Sequence, residues 1–411
     1  NPDYEIAWNN IGNALDKMGR HAESVTYHDR SLEVRPDFDY ALYAKGYALS
    51  KLGKHEEGLE LIDQSLELNP NYDHAWYAKA DVLHRLGRSE EARDAVNNSL
   101  ILNAGYDEAW LLRAEICERL GSMDEAEYCF REALRCHDYV LQADPGNPEA
   151  TAAKAELLME LERHGDALAT LESLPPEAMT SEQLAMKAEA LVRLGRAGEA
   201  VFTAHEAVGR DPRSGQAWRA KGRALVAAGR TEEAIDAFRT CVTQHEDRDA
   251  HVDLASAYLA VGRGPDALAS ADFAIAMGAP VRTLRAQILL ASRRPEDAAA
   301  VAEEALRSGE PADVAWFVIA RARARMGDPR GAIRAIDAAI GAEPGREEYW
   351  CERGRLSVES GDPRGALRFL DRALALAPDF PAALWSKGKA LEALGDAAGA
   401  KACFERANAR P

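Results

Sequence analysis

Six cysteines, ten histidines and 68 carboxylates are the side chains of this 411-residue chain that could do chemistry. Cys129, Cys136 and His137 come nearest to a metal-ligand cluster, with the two thiols about two helical turns apart. A structural zinc site needs four converging ligands, and no CxxC pair or further ligand supplies them. Cys117, Cys241, Cys351 and Cys403 stand alone, so all six read as small core-filling residues, with no cofactor or metal expected. His55, His84, His164, His205 and His245 lie beside turns or in second helices and read as surface residues. Adjacent carboxylates such as Glu56–Glu57 and Glu232–Glu233 could in principle pair for acid–base work. They fall early in helical stretches, however, where acidic side chains complement the positive helix end. No GxxxxGK[ST], GxGxxG after a strand, HExxH or GxSxG occurs, so the expectation is a non-enzyme.

Composition narrows the partners. Sixty-eight acidic against 50 basic side chains leave a net charge of −18, which opposes bulk binding to nucleic acid or anionic membrane. A hydrophobic fraction of 47% argues against disorder. Apolar runs stay short of the ~20 residues that cross a bilayer, and no basic n-region precedes an apolar stretch. The chain starts at Asn1 rather than Met, which leaves a processed or truncated piece open; cytoplasmic residence is the default expectation.

The elements that position these residues repeat. Gly19, Gly53, Gly87 and Gly121 follow at intervals of 34 residues, and Gly195, Gly229, Gly262, Gly327, Gly361 and Gly395 keep nearly the same beat. Around them the text recurs, as in "ALYAKGYALSKLGKHEEG" and "AWRAKGRALVAAGRTEEA", and Pro36, Pro70, Pro212, Pro344, Pro378 and Pro411 close repeats. Between successive prolines lie two apolar-periodic helical stretches joined by a short glycine turn. Gly46 and Ala80 are small enough for paired helices to approach, while Trp76 and Leu83 fill the space beside them. One such hairpin cannot bury its apolar face, so neighbours must stack.

This pattern resembles the tetratricopeptide repeat family, in the regular style of prokaryotic multi-repeat members. Leu42, Gly46, Gly53, Gly58, Ser65 and Pro70 stand at the family's positions 4, 8, 15, 20, 27 and 32, and Trp350, Gly354, Gly361, Ala366, Ala373 and Pro378 repeat the set. Trp218, Gly222, Gly229, Ala234 and Cys241 match in the seventh repeat. The resemblance covers essentially the whole chain and implies an all-α fold, an α-solenoid forming a right-handed superhelix of about twelve helix-turn-helix repeats. Three repeats depart from type. The fourth carries extra residues after Ala133 that prolong its second helix, the fifth is compressed before Pro175, and the ninth has "SRRPED" for its turn. Gly165 is the nearest turn glycine in the fifth, giving intervals of 44 and 30 from Gly121 to Gly195. The expected organisation is therefore an acidic, tyrosine-rich 1–146, an irregular 147–180 where the superhelix bends, and 181–411.

Lys45, Lys79, Arg113, Lys187, Lys221, Arg353 and Lys387 all occupy position 7, where long stems can cover apolar neighbours while the charge reaches water or a carboxylate. A ladder of ligand contacts is the less favoured alternative.

In the family the first helix of each pair lines a concave face through positions 2, 5, 9, 12 and 13. Carried over, the second and third repeats present Tyr40, Tyr43 and Tyr47, then His74, Tyr77, Asp81 and His84, and the fourth adds Glu108, Glu115 and Glu118. Farther on come Arg219 and Arg223, Phe317, Arg321 and Arg325, Arg355, and finally Trp385 and Lys389. Residues 1–140 hold 27 acidic against 15 basic side chains and ten of the 12 tyrosines. Two readings of Tyr43, Tyr47 and Tyr77 stay open: a groove for an extended peptide with apolar and basic anchors, or rings that seal helix pairs. The family's chaperone-type carboxylate clamp is disfavoured, because of its residues only Asn13 fits, with Ala44, His74 and Ala78 elsewhere. The resemblance thus implies a non-catalytic scaffold binding a protein or peptide in its groove. The regulatory part of a larger enzyme or signalling protein, and a module that self-assembles through terminal repeats, are the alternatives; nucleic acid ranks below all three.

Overall fold

The computed structural model describes residues 4–408, and these form 24 α-helices, one short 3₁₀ turn and no strand. The helices fall into twelve consecutive pairs. The first four are α1 (Glu5–Lys17) with α2 (His21–Val34), α3 (Asp39–Lys51) with α4 (His55–Leu68), α5 (Asp73–Arg85) with α6 (Ser89–Leu102), and α7 (Asp107–Arg119) with α8 (Met123–Ala143). Next come α9 (Pro148–Glu160) with α10 (His164–Glu172), α11 (Ser181–Arg193) with α12 (Ala197–Arg210), α13 (Gly215–Ala227) with α14 (Thr231–Gln244), and α15 (Arg248–Ala260) with α16 (Gly264–Ala276). The last four are α17 (Arg282–Ala291) with α18 (Pro295–Arg307), α19 (Ala312–Arg325) with α20 (Pro329–Ala342), α21 (Glu347–Glu359) with α22 (Pro363–Leu376), and α23 (Pro381–Ala393) with α24 (Ala397–Asn408). They pack as two compact units, one up to Ala178 and one from Met179 onward, and each is a stack of helix pairs: an α-solenoid.

The turn inside each pair explains the glycine beat. Gly53 adopts φ 84°, and the following Lys54 N–H donates 3.0 Å back to Leu49 O, closing a Schellman cap. The same left-handed glycine recurs at all ten positions of the series. In the fifth repeat the turn residue is Glu162, at φ 56°, and not Gly165, which lies inside α10. Glu162 stands 33 residues before Gly195 and so keeps the beat, whereas Gly165 is already the second residue of α10, a nine-residue helix that ends before a 3₁₀ turn at Pro176–Ala178. In the ninth repeat Arg293 holds this conformation, at φ 58°. Side chains with a Cβ are strained there. Glu162→Gly and Arg293→Gly are each expected to stabilise the protein by about 0.5–1 kcal/mol, read as a higher urea midpoint with an unchanged slope.

Three devices join each pair to its neighbours. The position-4 tryptophans Trp76, Trp218 and Trp350 donate from Nε1 to Pro70 O, Pro212 O and Pro344 O at 2.8–2.9 Å, pinning the turn that precedes their own helix. Position-7 cations reach back to an aspartate on the preceding second helix: Lys45 to Asp29, Lys79 to Asp63, Arg353 to Asp337 and Lys387 to Asp371, all at 2.7 Å. The stems of Lys79 and Lys221 lie over Trp76 and Trp218, with the ammonium 5.4 and 4.8 Å from the ring centres. These cations therefore tie repeats together and do not form a ligand ladder. The third device is apolar: Ile62, Leu83, Ile116 and Leu158 are almost fully buried between pairs. The early carboxylates are structural too, since Glu233 pairs with Arg230 across the turn at 2.7 Å and Glu57 with Lys54 at 3.2 Å.

Candidate functional site: the first-helix face

Successive first helices pack on one another within each unit, α1 on α3, α3 on α5 and α5 on α7, then α11 on α13 and α21 on α23. That crowding brings positions 2, 5, 9, 12 and 13 of neighbouring repeats side by side.

In the N-terminal unit the result is one connected network of rings. Tyr43 stacks on Tyr47 at 6.3 Å between centres and meets Tyr72 edge-on at 5.1 Å; Tyr40 lies 4.8 Å from Tyr72. His74 stacks on Tyr106 at 4.8 Å, and Tyr77 lies 5.0 Å from the same ring. Tyr72 and Tyr106 were not among the candidate residues read from sequence. They precede α5 and α7 directly, and with Tyr4 and Phe38 they recur at intervals of 34, a register that the family's helical positions omit. Burial raises the phenol pKa of Tyr43, Tyr72, Tyr77 and Tyr106, so all four stay neutral hydrogen-bond donors across the physiological range. No hydrogen bond engages these hydroxyls among the described residues.

The charges around the rings are unequal. Asp81 is 7% exposed and fully matched, by Lys51 Nζ at 3.1 Å and Arg85 Nε at 2.9 Å. Lys51 also sits 4.5 Å above the Tyr47 ring. Glu115 makes no ion pair among the described residues: partial burial raises its pKa, Asp81, Glu118 and Glu160 push the same way, and Arg85 opposes them. Glu108 is raised by a hydrogen bond to Asp107 and then by burial. His84 is half-buried rather than a surface residue; burial and then Arg119 lower its pKa, and its Nδ1 is buried without a partner. This face thus carries surplus negative charge beside an aromatic bed.

The C-terminal unit differs from the expected arginine groove because carboxylates neutralise most of its cations, from about thirty residues away at Arg219 and Arg223 and from one helical turn away at Arg355 and Lys389. Arg223 lies between Asp253, 2.7 Å from its Nε, and Glu189, 3.2 Å from its Nη1. Arg219 lies 3.3 Å from both Asp247 and Asp249. Arg355 is clamped by Glu352 at 2.5 Å and by Glu359, and Lys389 reaches Glu392 at 3.3 Å while covering Trp385. Arg325 donates to Leu290 O. Arg321 alone of these six has neither ion pair nor hydrogen bond among the described residues, and its guanidinium lies 5.6 Å over the Phe317 ring. Three cavities follow this face, of about 460, 290 and 360 Å³.

Burial raises the thiol pKa of Cys129 and Cys351 to about 11 and of Cys241 to about 12, which suits packing and not nucleophilic work. Cys136 Sγ donates 3.7 Å to Ala104 O, and His137 Nε2 lies 3.4 Å from Asp107, so these two do not converge with Cys129 on a common point. Among the described residues no group of three or more His, Cys, Asp or Glu side chains could hold a metal, and no helix is long and apolar enough to cross a membrane.

Comparison with known proteins adds the following. Two family models, both described as tetratricopeptide repeat, match the chain. One matches at residues 9–73, 43–107, 77–140, 185–249, 252–313 and 283–347, the other at 129–191 and 357–410. No curated protein sequence matches it. Among solved structures it is similar to a chain of the APC/C hetero-tetramer Cut9–Hcn1, at 13% identity and a TM-score of 0.51, covering 94% of this chain and 96% of that one. It is also similar to yeast Tom70, at 15% identity and a TM-score of 0.48, covering 97% and 96%.

Proposed function

The chain belongs to the tetratricopeptide repeat family, and from that premise we propose that it is a protein-interaction scaffold whose N-terminal unit holds an extended partner segment on its first-helix face. The observation that carries this reading is the ring network on α3, on α5 and at the starts of α5 and α7, whose hydroxyls have no hydrogen-bond partner among the described residues. Rigid aromatic side chains bury large area at little entropic cost, and each phenol offers a directional hydrogen bond to a peptide backbone. Glu108 and Glu115 make no ion pair among the described residues, and their pKa is raised, at Glu108 by Asp107 and at Glu115 by burial and then by Asp81 and Glu118. A cation arriving at this edge is therefore favoured, and the segment that fits has apolar anchors with a basic side chain toward α7. Asp81 contributes less, being already matched by Lys51 and Arg85.

The test is a lysate or peptide-library capture by the intact protein, compared with a Tyr43→Ala/Tyr47→Ala/Tyr77→Ala variant whose helicity is unchanged by circular dichroism. A partner lost by about 100-fold in affinity, as expected when several central aromatic anchors are truncated, supports the reading. Equal capture by both proteins removes this face as the site.

A further inference from the structure

We infer that the C-terminal unit carries a second docking site, spanning α15 to α21, for an extended peptide in which a carboxylate side chain stands beside a large apolar one. Two adjoining cavities make it. The first, about 290 Å³, is walled by Leu259, Leu290, Ala291, Phe317 and Val318, with Gln287 as its one uncharged polar side chain. The second, about 360 Å³, is lined by Arg321, Ala324, Arg325, Glu352, Arg355 and Glu359. Arg321 and Arg325 border both, so an apolar slot and a charged one share a wall of guanidinium groups.

Charge selects the occupant. The second cavity holds three arginines against two glutamates, an excess of one positive charge in a chain of net charge −18. Its glutamates are already used, both by Arg355. Arg325 is committed to Leu290 O. Arg321 remains, exposed, held only against the face of Phe317, with its fork of donors free. A carboxylate arriving there gains a bidentate partner without breaking an ion pair, and the neighbouring apolar side chain enters the slot beside Phe317. The 460 Å³ cavity between α11, α13 and α15 offers no such vacancy, because Arg223 is shared between Asp253 and Glu189. A nucleic-acid phosphate fits less well: Glu352 and Glu359 flank the arginine, and half of the site is an apolar slot.

The scaffold reading enters only in that the occupant is a protein segment; the residues differ from those of the N-terminal face. The test is fluorescence polarisation on the full chain with short fluorescein-labelled peptides carrying Asp or Glu next to Leu or Phe. Matched peptides carry Asn or Gln in place of the acid. Expected are preference for the acidic peptides, about a 10-fold loss with Arg321→Ala, a larger loss with Arg321→Glu and partial retention with Arg321→Lys. The preference narrows as salt rises. The Tyr43→Ala/Tyr47→Ala/Tyr77→Ala variant keeps this binding, so failure of one site is separable from failure of the other. Equal affinity for acidic and amide peptides, no effect of Arg321→Glu in a protein of unchanged helicity, or displacement of the peptide by a single-stranded oligonucleotide at lower concentration than by unlabelled peptide would each overturn the inference.

Discussion

Gly222→Ala is expected to lower the stability of the C-terminal unit by about 2 kcal/mol, although alanine is the better helix former by about 1 kcal/mol. The reason is the contact between α13 and α14. A Cβ on Gly222 would fall 2.3–2.6 Å from three carbons of the Phe238 ring, which is 1% exposed, so the ring must shift for the methyl to fit. Overpacking of this kind costs about 1–3 kcal/mol, and the buried ring puts this site at or above the upper end. The same pair of positions recurs sixteen residues apart in every repeat, with glycine facing a large side chain at Gly12/His28, Gly354/Leu370 and Gly388/Phe404. Adjacent repeats solve the space differently, with alanine at both positions in Ala188/Ala204 and Ala255/Ala271, all buried. Where alanine does meet phenylalanine, at Ala114 and Phe130, the ring is half-exposed instead of sealed.

A double-mutant cycle separates this account from a general intolerance of substitution. Phe238→Ala alone removes a buried ring and is expected to cost about 3–5 kcal/mol. In Gly222→Ala/Phe238→Ala the new methyl enters space the ring has left, as in the flanking repeats. The double variant should be less destabilised than the sum of the singles by about 2 kcal/mol or more. Equilibrium urea unfolding gives the totals, and amide exchange in α13 and α14 locates the loss, since a stack of repeats need not unfold in one step. Strict additivity would show that Gly222 is needed for some reason other than this contact.

The period made the fold legible. A fixed spacing of turn glycines, small residues at position 8 and apolar periodicity on both sides specify paired helices, because local propensity, turn chemistry and packing agree at each repeat. The reading failed where a single repeat bends the rule. Glu162 takes the left-handed turn that sequence assigned to Gly165, since a strained non-glycine leaves no compositional mark. On the first-helix face, the family's groove positions found Tyr43, Tyr47 and Tyr77 but passed over Tyr72 and Tyr106, which stand one residue before their helices and complete the ring network. The arginines were found, and their neutralisation was not. Asp253 lies thirty residues beyond Arg223 and Glu189 lies 34 before it, distances at which only the stacking of α11, α13 and α15 brings the charges together. Spacing near 34 between opposite charges is the signal that could have shown it for Arg223; it would also have paired Arg321 with Glu352, 31 residues on, whereas the structure gives Glu352 to Arg355.

Glu310→Ala is the second substitution expected to act strongly, by about 3 kcal/mol, from the loop after α18 on the start of α17. The first helix of the ninth repeat, α17, is only ten residues long, and the residue before it is Val281, which has no side-chain oxygen to cap it. At α9 and α15 a local side chain does this work: Asn147 accepts from Ala150 N at 2.9 Å, and Asp247 accepts from Asp249 N and Ala250 N at 2.9 and 3.0 Å. At α17 the acceptor comes from the loop that closes the same repeat, between α18 and α19. Glu310, its side chain 1% exposed, accepts from Arg282 N at 3.0 Å, from Thr283 N at 2.9 Å and from Thr283 Oγ1 at 3.1 Å. The carboxylate also meets the positive end of the helix and Arg282 Nη1 at 3.4 Å. Truncation strands two backbone donors at a helix start and removes a buried charge that they stabilise, each loss worth about 1–3 kcal/mol before relaxation. Glu310→Gln keeps one acceptor oxygen and turns an NH₂ toward the remaining donor, so it should lose about 2 kcal/mol rather than revert to wild type. The distinguishing measurement is amide exchange at Arg282 and Thr283, which should accelerate in both variants ahead of any change in α13 or α21. If exchange there stayed at wild-type rates while global stability fell, Glu310 would be acting through the turn before α19, and the cap it places on the start of α17 would not be what holds that helix in place.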